Sequence, residues 1–314
     1  MIRGTVAGDG SCNGPSIHEG GETNMRAAAI RRKGLFSGVY VAPAMILLIM
    51  FLIVPLFYSV YCGLYSFKYM NRGEFQGLKN FIYCLTDKII LNSFKTTFIV
   101  TFSATGISVI VGMLLALWID KKHGMFAYSI EMVGLIPWVI SMVVASLLWR
   151  WLLNGDMGLL GFISNWVGRP IYILEHKGSA LIAMIFVMSW RTIGYAMVML
   201  LAGLKSLDPN LLEAAAIDGA SKTQTLFKIK LPLILTNFLL SLIVLTVSNF
   251  TNNTVPRALT NGGPAYATNV VTLEQYTLSF EYYDFGRASA LALLVMFATA
   301  LIIWAYMKVT KYEL

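Results

Sequence analysis

The groups in this chain that could do chemistry are few, and they sit in apolar surroundings. Asn249, Asn252 and Asn253 lie together, just after Thr246 and Ser248; Trp190, Arg191, Thr192 and Tyr195 form a second set. Amides and hydroxyls exchange hydrogen bonds with a hydroxyl-rich solute, and aromatic rings offer it a stacking surface. The same amides can instead bond a neighbouring helix. Arg191 can face a solute, or act as a structural cation bonded to carbonyls of a kinked helix or to a partner subunit. Paired carboxylates, a metal-ligating His set and a Ser/His constellation are missing from these stretches. No catalytic residue is therefore expected. The three cysteines (Cys12, Cys62, Cys84) are too scattered for a disulfide framework or a metal site.

The elements that must position these groups are read from the charge pattern. Of 314 residues, 57% are hydrophobic and 13% charged, against roughly 25% charged in ordinary soluble domains. Charge-free runs cover residues 34–67, 96–119, 132–149, 231–256 and 288–307, and 178–204 holds only Arg191. About 20 apolar helical residues cross a bilayer core, so each run predicts a span. The expected fold class is an all-α polytopic membrane protein with six transmembrane helices, at about 37–59, 96–119, 128–149, 180–204, 233–255 and 288–308. Pro43 and Pro55 predict a kink in the first. In the fifth, Asn249 and Asn252 are three apart and would share a helix face. Beyond the turn-rich run Leu259-Thr-Asn-Gly-Gly-Pro264, Tyr276, Phe280 and Tyr283 recur at i, i+4, i+7. That spacing reads either as an interfacial helix or as a helix packed on the bundle.

The net charge of +8 would suggest nucleic acid in a soluble protein. The orientation rule for membrane proteins accounts for it instead, and no nucleic-acid partner is expected. With both termini in the cytoplasm, 13 basic residues fall inside and nine outside, and the Arg31-Arg32-Lys33 cluster abuts the first span. Residues 1–33 are polar and Gly-rich without a signal-peptide core, and read as a flexible cytoplasmic tail. Residues 34–314 would be the six-helix domain. Glu131, the one acid near a span, lies at the cytoplasmic start of span three, too shallow to pair with Arg191.

The cytoplasmic segment 205–232 is the informative loop. Asp208 can cap a helix whose first position is Pro209, and Gly219 can end it. Ser221 and Gln224 then form a second capping box. Leu212, Ala215 and Ala216 would make a small apolar face beside Glu213. Two short helices joined by a Gly turn make a candidate docking element, or an amphipathic linker; physics alone names no partner.

This segment resembles a known family. Glu213-Ala214-Ala215, Gly219, Ile229, Leu231 and Pro232 fit, without gaps, the EAA-x(3)-G-x(9)-I-x-L-P signature of the membrane subunits of ATP-binding-cassette importers. The resemblance covers about residues 35–314. Its sugar-permease branch is indicated by Val41-Ala42-Pro43, Gly77-Leu78-Lys79-Asn80-Phe81, Leu259-Thr-Asn-Gly-Gly-Pro264, Asp284-Phe285-Gly286 and Ala288-Ser289-Ala290. The Thr-Asn-Gly-Gly-Pro element is similar to the MalF/UgpA subunit type. The resemblance implies a type I ABC importer permease fold and a prokaryotic plasma-membrane location. It also implies a MalG-like second permease subunit, two ATPase subunits, an extracytoplasmic solute-binding protein and a sugar substrate. The EAA helix would seat in a groove of the ATPase. The chain carries no Gly-x(4)-Gly-Lys-Ser/Thr phosphate loop, so ATP and Mg would be bound by the partner ATPase and not by this chain.

Carried over from the turn-rich motif, Asn249 and Asn252 fall where the maltose branch places sugar-contacting amides. Matching back from Ala202-Gly203-Leu204 puts a further contact on Thr192. The other two matched positions, Ile193 and Ala196, lack polar groups, so Tyr195 is the candidate stacking face. Arg191 completes the candidate pathway set and leaves glycerol 3-phosphate open beside a neutral sugar. An ion-coupled secondary transporter would need membrane-embedded carboxylates, which spans two to six do not show near mid-depth.

Overall fold

Prolines shape the membrane helices of this chain before packing does. A computed structural model describes residues 41–122 and 124–309; the expected tail 1–33 lies outside them. The first helix, α1 (Val41–Leu64), contains a π-helical turn at Ile49–Ile53 in which the Val54 N–H reaches the Ile49 carbonyl. Pro55 follows immediately. A proline has no N–H to give and its ring crowds the carbonyl four residues back, and the widened turn relieves that crowding. The same device recurs at Pro232, where Leu226–Lys230 is π-helical and the Leu231 N–H reaches the Leu226 carbonyl.

The chain from Ser59 onward forms one unit and the residues before it another. A short antiparallel hairpin, β1 (Tyr65–Lys68) and β2 (Asn71–Phe75), stands outside the all-helical expectation. Tyr65 pairs with Phe75 and Phe67 with Arg72. Next come α2 (Lys79–Thr86), α3 (Lys88–Asp120), α4 (Met125–Val139), α5 (Met142–Leu152), α6 (Leu159–Val167) and α7 (Lys177–Lys205). The segment after α7 holds α8 (Pro209–Ile217) and α9 (Lys222–Leu233). The remainder is α10 (Leu235–Phe250), α11 (Thr254–Leu259), α12 (Val271–Phe280) and α13 (Phe285–Val309).

Among the described residues, four helices (α1, α3, α7, α13) are long and apolar enough to cross a membrane. Two bent pairs make the number six if each is one span: α4 with α5, bent by 92°, and α9 with α10, bent by 65°. The expected third and fifth spans are thus interrupted, not straight. Pro137 lies inside α4, and the helix stops two residues later at an extended Ile140. The fifth span ends at Phe250, short of the expected 255.

The centre of the fold is the pairing of α3 with α7. Val109, Ala116 and Ile119 of α3 meet Ala196, Met197, Leu200 and Leu204 of α7 in one cluster that also takes in Ala127, Ile234 and Leu245. A second cluster joins Val100 and Ala104 to Met184, Val187 and Met188, with Val255 and Leu259 of α11, Val270 just before α12 and Leu273 within it. Small side chains set the spacing. A Cβ placed on Gly194 of α7 would lie 1.9 Å from the Gly134 carbonyl oxygen of α4, so only glycine lets these two helices approach this closely. Large apolar side chains such as Ile110, Leu114 and Phe297 remain exposed on the outer faces, as lipid or a second subunit requires.

The aromatic recurrence at 276, 280 and 283 ends early and leaves Phe280 and Tyr283 exposed, while other residues of the helix pack. α12 buries Val271, Leu273, Glu274 and Leu278, and the helix stops at Phe280. Tyr283 takes a left-handed φ of 53° and stacks on Tyr69 at 5.8 Å.

Candidate functional site

The interrupted spans decide where the candidate polar residues sit. A helix end leaves its last carbonyls without partners, which is costly at membrane depth. α4 ends at Val139, so the carbonyl of Trp138 is one of these. Arg191, 8% exposed, donates from Nη1 to that carbonyl at 3.4 Å and lies 4.9 Å from the Trp138 ring centre. A cation at a helix C-terminus also opposes the negative end of its dipole. Tyr195, one turn along α7, stacks on the same Trp138 ring, with centroids 4.6 Å apart. Trp138 therefore brings Arg191 and Tyr195 together; the sequence reading missed it. The available signal was a tryptophan directly after a proline within a span. Glu131 pairs with Lys205 at 2.8 Å and not with Arg191, as its depth suggested.

Asn249 is buried in α10 and donates to Thr105 Oγ1 of α3 at 3.0 Å. Asn252 does not share its helix face, because α10 has already ended. It sits in the gap before α11, where its Oδ1 accepts from the Val255 N–H at 3.1 Å and its carbonyl accepts from Thr272 Oγ1. Thr192 shares a 2.6 Å hydrogen bond with Ser108 Oγ of α3. Two of the candidate residues thus lean on α3 hydroxyls. Ser93, Thr97, Thr101, Thr105 and Ser108 form a buried polar stripe down α3, a near four-residue recurrence that the sequence reading passed over.

The loop 205–232 takes the capped form expected. Asp208 Oδ1 accepts from the Asn210 N–H at 2.9 Å, and Gly219 turns the chain at a φ of 78°, where an L side chain is strained. Ser221 and Gln224 bond each other's backbone N–H groups in a capping box. Glu213, Ala214 and Gly219 are exposed, while Ala215 is buried. Of the expected apolar face, Leu212 is half-buried and Ala216 exposed. Ile229 is half-buried and Pro232 exposed, and Leu231 packs on the cluster around Ile234 and Leu245. The loop therefore joins an outward-facing helix to an anchored one.

Residues 96–310 match the family described as binding-protein-dependent transport system inner membrane component. The chain belongs to this family. Among relatives, the sn-glycerol-3-phosphate transport system permease protein UgpA of Yersinia enterocolitica is 32% identical over 71% of this chain and 76% of its own length. The trehalose/maltose transport system permease protein MalF of Thermococcus litoralis is 26% identical over 93% of this chain and 99% of its own. A chain of a bacterial ABC transporter that imports the acidic polysaccharide alginate has the same fold, with a TM-score of 0.78, 20% identity, and coverage of 91% of this chain and 98% of that one. For this inner-membrane component, the fold places the loop 205–232 at the end of α7, Asn249 and Thr192 against α3, and Arg191 and Tyr195 against Trp138 of α4.

Proposed function

We propose that this chain is the permease subunit of an ATP-driven, binding-protein-dependent carbohydrate importer and forms half of its translocation pathway. The observation that carries the reading is the loop 205–232. It is a capped helix, a left-handed glycine turn and a second capped helix, with Glu213 exposed and Leu231 anchored, in a chain of this transport family. In this reading Glu213, Ala214, Ala215 and Gly219 meet a separate ATPase subunit that binds ATP and Mg, and Ile229, Leu231 and Pro232 carry its movement into the fifth span. The partners are a MalG-like second permease, two ATPases and an extracytoplasmic binding protein. Both termini face the cytoplasm of a prokaryote.

The pathway residues in this reading are Asn249, Asn252, Thr192 and Tyr195, with Arg191 setting the ring of Trp138 beside them. A neutral sugar is favoured over glycerol 3-phosphate, because the Arg191 guanidinium is already directed at the Trp138 carbonyl and ring. The relative MalF of the trehalose/maltose system is consistent with that choice, although UgpA serves an anionic solute by its name.

The experiment is uptake by cells carrying the complete system. Asn249→Ala and Asn252→Ala are expected to abolish accumulation while the complex still assembles. Normal uptake by both would remove the pathway assignment. Glu213→Lys is expected to lower co-purification of the ATPase, and wild-type yield would remove the docking assignment.

A further inference from the structure

The stripe of hydroxyls down α3 has one more polar partner at its cytoplasmic foot. Asp120 is the last residue of α3, a position where a carboxylate meets the negative end of the helix dipole and needs a cation. Lys121 and Lys122 follow directly, yet both are exposed and neither forms an ion pair among the described residues. The partner is Lys230, 110 residues later in the π-helical turn of the cytoplasmic loop, with Nζ 2.7 Å from Oδ2. Both side chains are about four-fifths buried, at 21% and 18% exposure. Screening by water is therefore weaker than for a surface pair.

The surroundings make this pair mechanically important. A cavity of about 460 Å³ separates the loop from α3, lined by Leu117 and Asp120 on one side and Ala216, Ala220, Thr225 and Leu226 on the other. Beside this pocket Leu231 joins the apolar cluster that holds Ala116 and Ile119 of α3, and the ion pair adds a charged link at the helix end. Above it, α3 is one uninterrupted helix. Ser108 lies about 18 Å and Thr105 about 22 Å from Asp120, at about 1.5 Å per residue. These are the hydroxyls bonded to Thr192 and Asn249. Further out, Thr97 accepts from the Val271 N–H and Ser93 accepts from Asn269. A displacement of the loop that carried Asp120 along would therefore reach both candidate pathway residues through one rigid element.

We propose that Asp120 and Lys230 form the tie through which the cytoplasmic loop moves α3, and that α3 is the rod linking that loop to Asn249 and Thr192. Both are positioning residues, and the proposal rests on the reading of the loop as the ATPase-coupling element.

The test uses the complete importer in nanodiscs, in a Cys12→Ser background with nitroxide labels at Leu114→Cys and Thr223→Cys, both exposed positions. The separation of the labels is read without nucleotide and with trapped ATP. The expected result is one separation in both states for the intact pair. Asp120→Asn and Lys230→Gln should each make the separation nucleotide-dependent and lower binding-protein-stimulated phosphate release about tenfold, within the usual range of coupling between sites. The exchange Asp120→Lys with Lys230→Asp should restore the fixed separation. The tie is overturned if the intact pair shows two separations, if the single variants keep one, or if the exchange restores nothing. ATPase co-purification separates the two readings. It stays at wild-type yield in these variants, whereas failure of the loop reading itself shows as full ATPase yield with Glu213→Lys.

Discussion

In the break between α4 and α5 the freed carbonyl of Trp138 is taken by a cation from another helix, Arg191. In the break between α10 and α11 the freed N–H of Val255 is taken by Asn252, a residue of the break itself. The first solution joins two spans and buries a charge; the second is local and neutral. Both answer the same requirement, since backbone groups released inside a membrane must find partners within the protein. The comparison teaches that a polar residue in a span has two possible employments, and that a helix break nearby changes the odds between them.

The contrast can be broken from its costlier side first. Arg191→Met would leave the Trp138 carbonyl unpaired in buried surroundings, a loss of about 2 kcal/mol. The complex should extract from membranes in clearly reduced yield, and Arg191→Lys should recover part of it. If Arg191→Met assembles and melts like the wild type, the cation does not support the break. Gly194→Ala attacks the same region by geometry, forcing α7 away from the Gly134 carbonyl at a cost of about 1–3 kcal/mol. Its signature is loss of the Trp138–Tyr195 stacking, seen as a shift in tryptophan emission.

The local break should be cheaper to damage. Asn252→Leu removes a capping acceptor from α11, worth about 1 kcal/mol, and Asn252→Asp should retain most of it. Thermal melts of the purified complex distinguish the two. The smallest effect belongs outside the membrane. Burial pushes the Glu274 carboxyl above its ordinary range, partly offset by the hydrogen bond from Asn269. Folding therefore favours the protonated form. Its contribution is fully present below the unfolded carboxylate range and is lost as pH rises through the folded value. Glu274→Gln should melt higher than the wild type at pH 8 and match it at pH 4. An equal difference at both would show that Glu274 is not protonated by folding.

How far the sequence could be read follows the same division. The loop 205–232 was legible nearly atom by atom, because caps and glycine turns are local: Asp208, Gly219, Ser221 and Gln224 act within four residues of themselves. The apolar spans were legible in place and order from charge-free runs, four as single helices and two as bent pairs. Their interruptions at Ile140 and Thr251 were not, since apolar composition continues across both breaks. Asn252 was therefore assigned a helix face that the end of α10 denies it. The partners of Arg191, Asn249 and Thr192 lie 53, 144 and 84 residues away, and only the packing of α3, α4, α7 and α10 brings them together. Arg191 itself stood out as a lone charge, and the carbonyl that explains its place could not be foreseen without the break in α4.

The central claim, that this chain is one of two membrane subunits of an ATP-driven sugar importer, is tested most directly in proteoliposomes containing it with its second permease and ATPases. Labelled maltose and labelled glycerol 3-phosphate are offered with the binding protein outside and ATP inside. The account predicts accumulation of the sugar that stops when ATP, the binding protein or the ATPase is withheld. Accumulation that persists without the ATPase and follows an imposed proton or sodium gradient would contradict it.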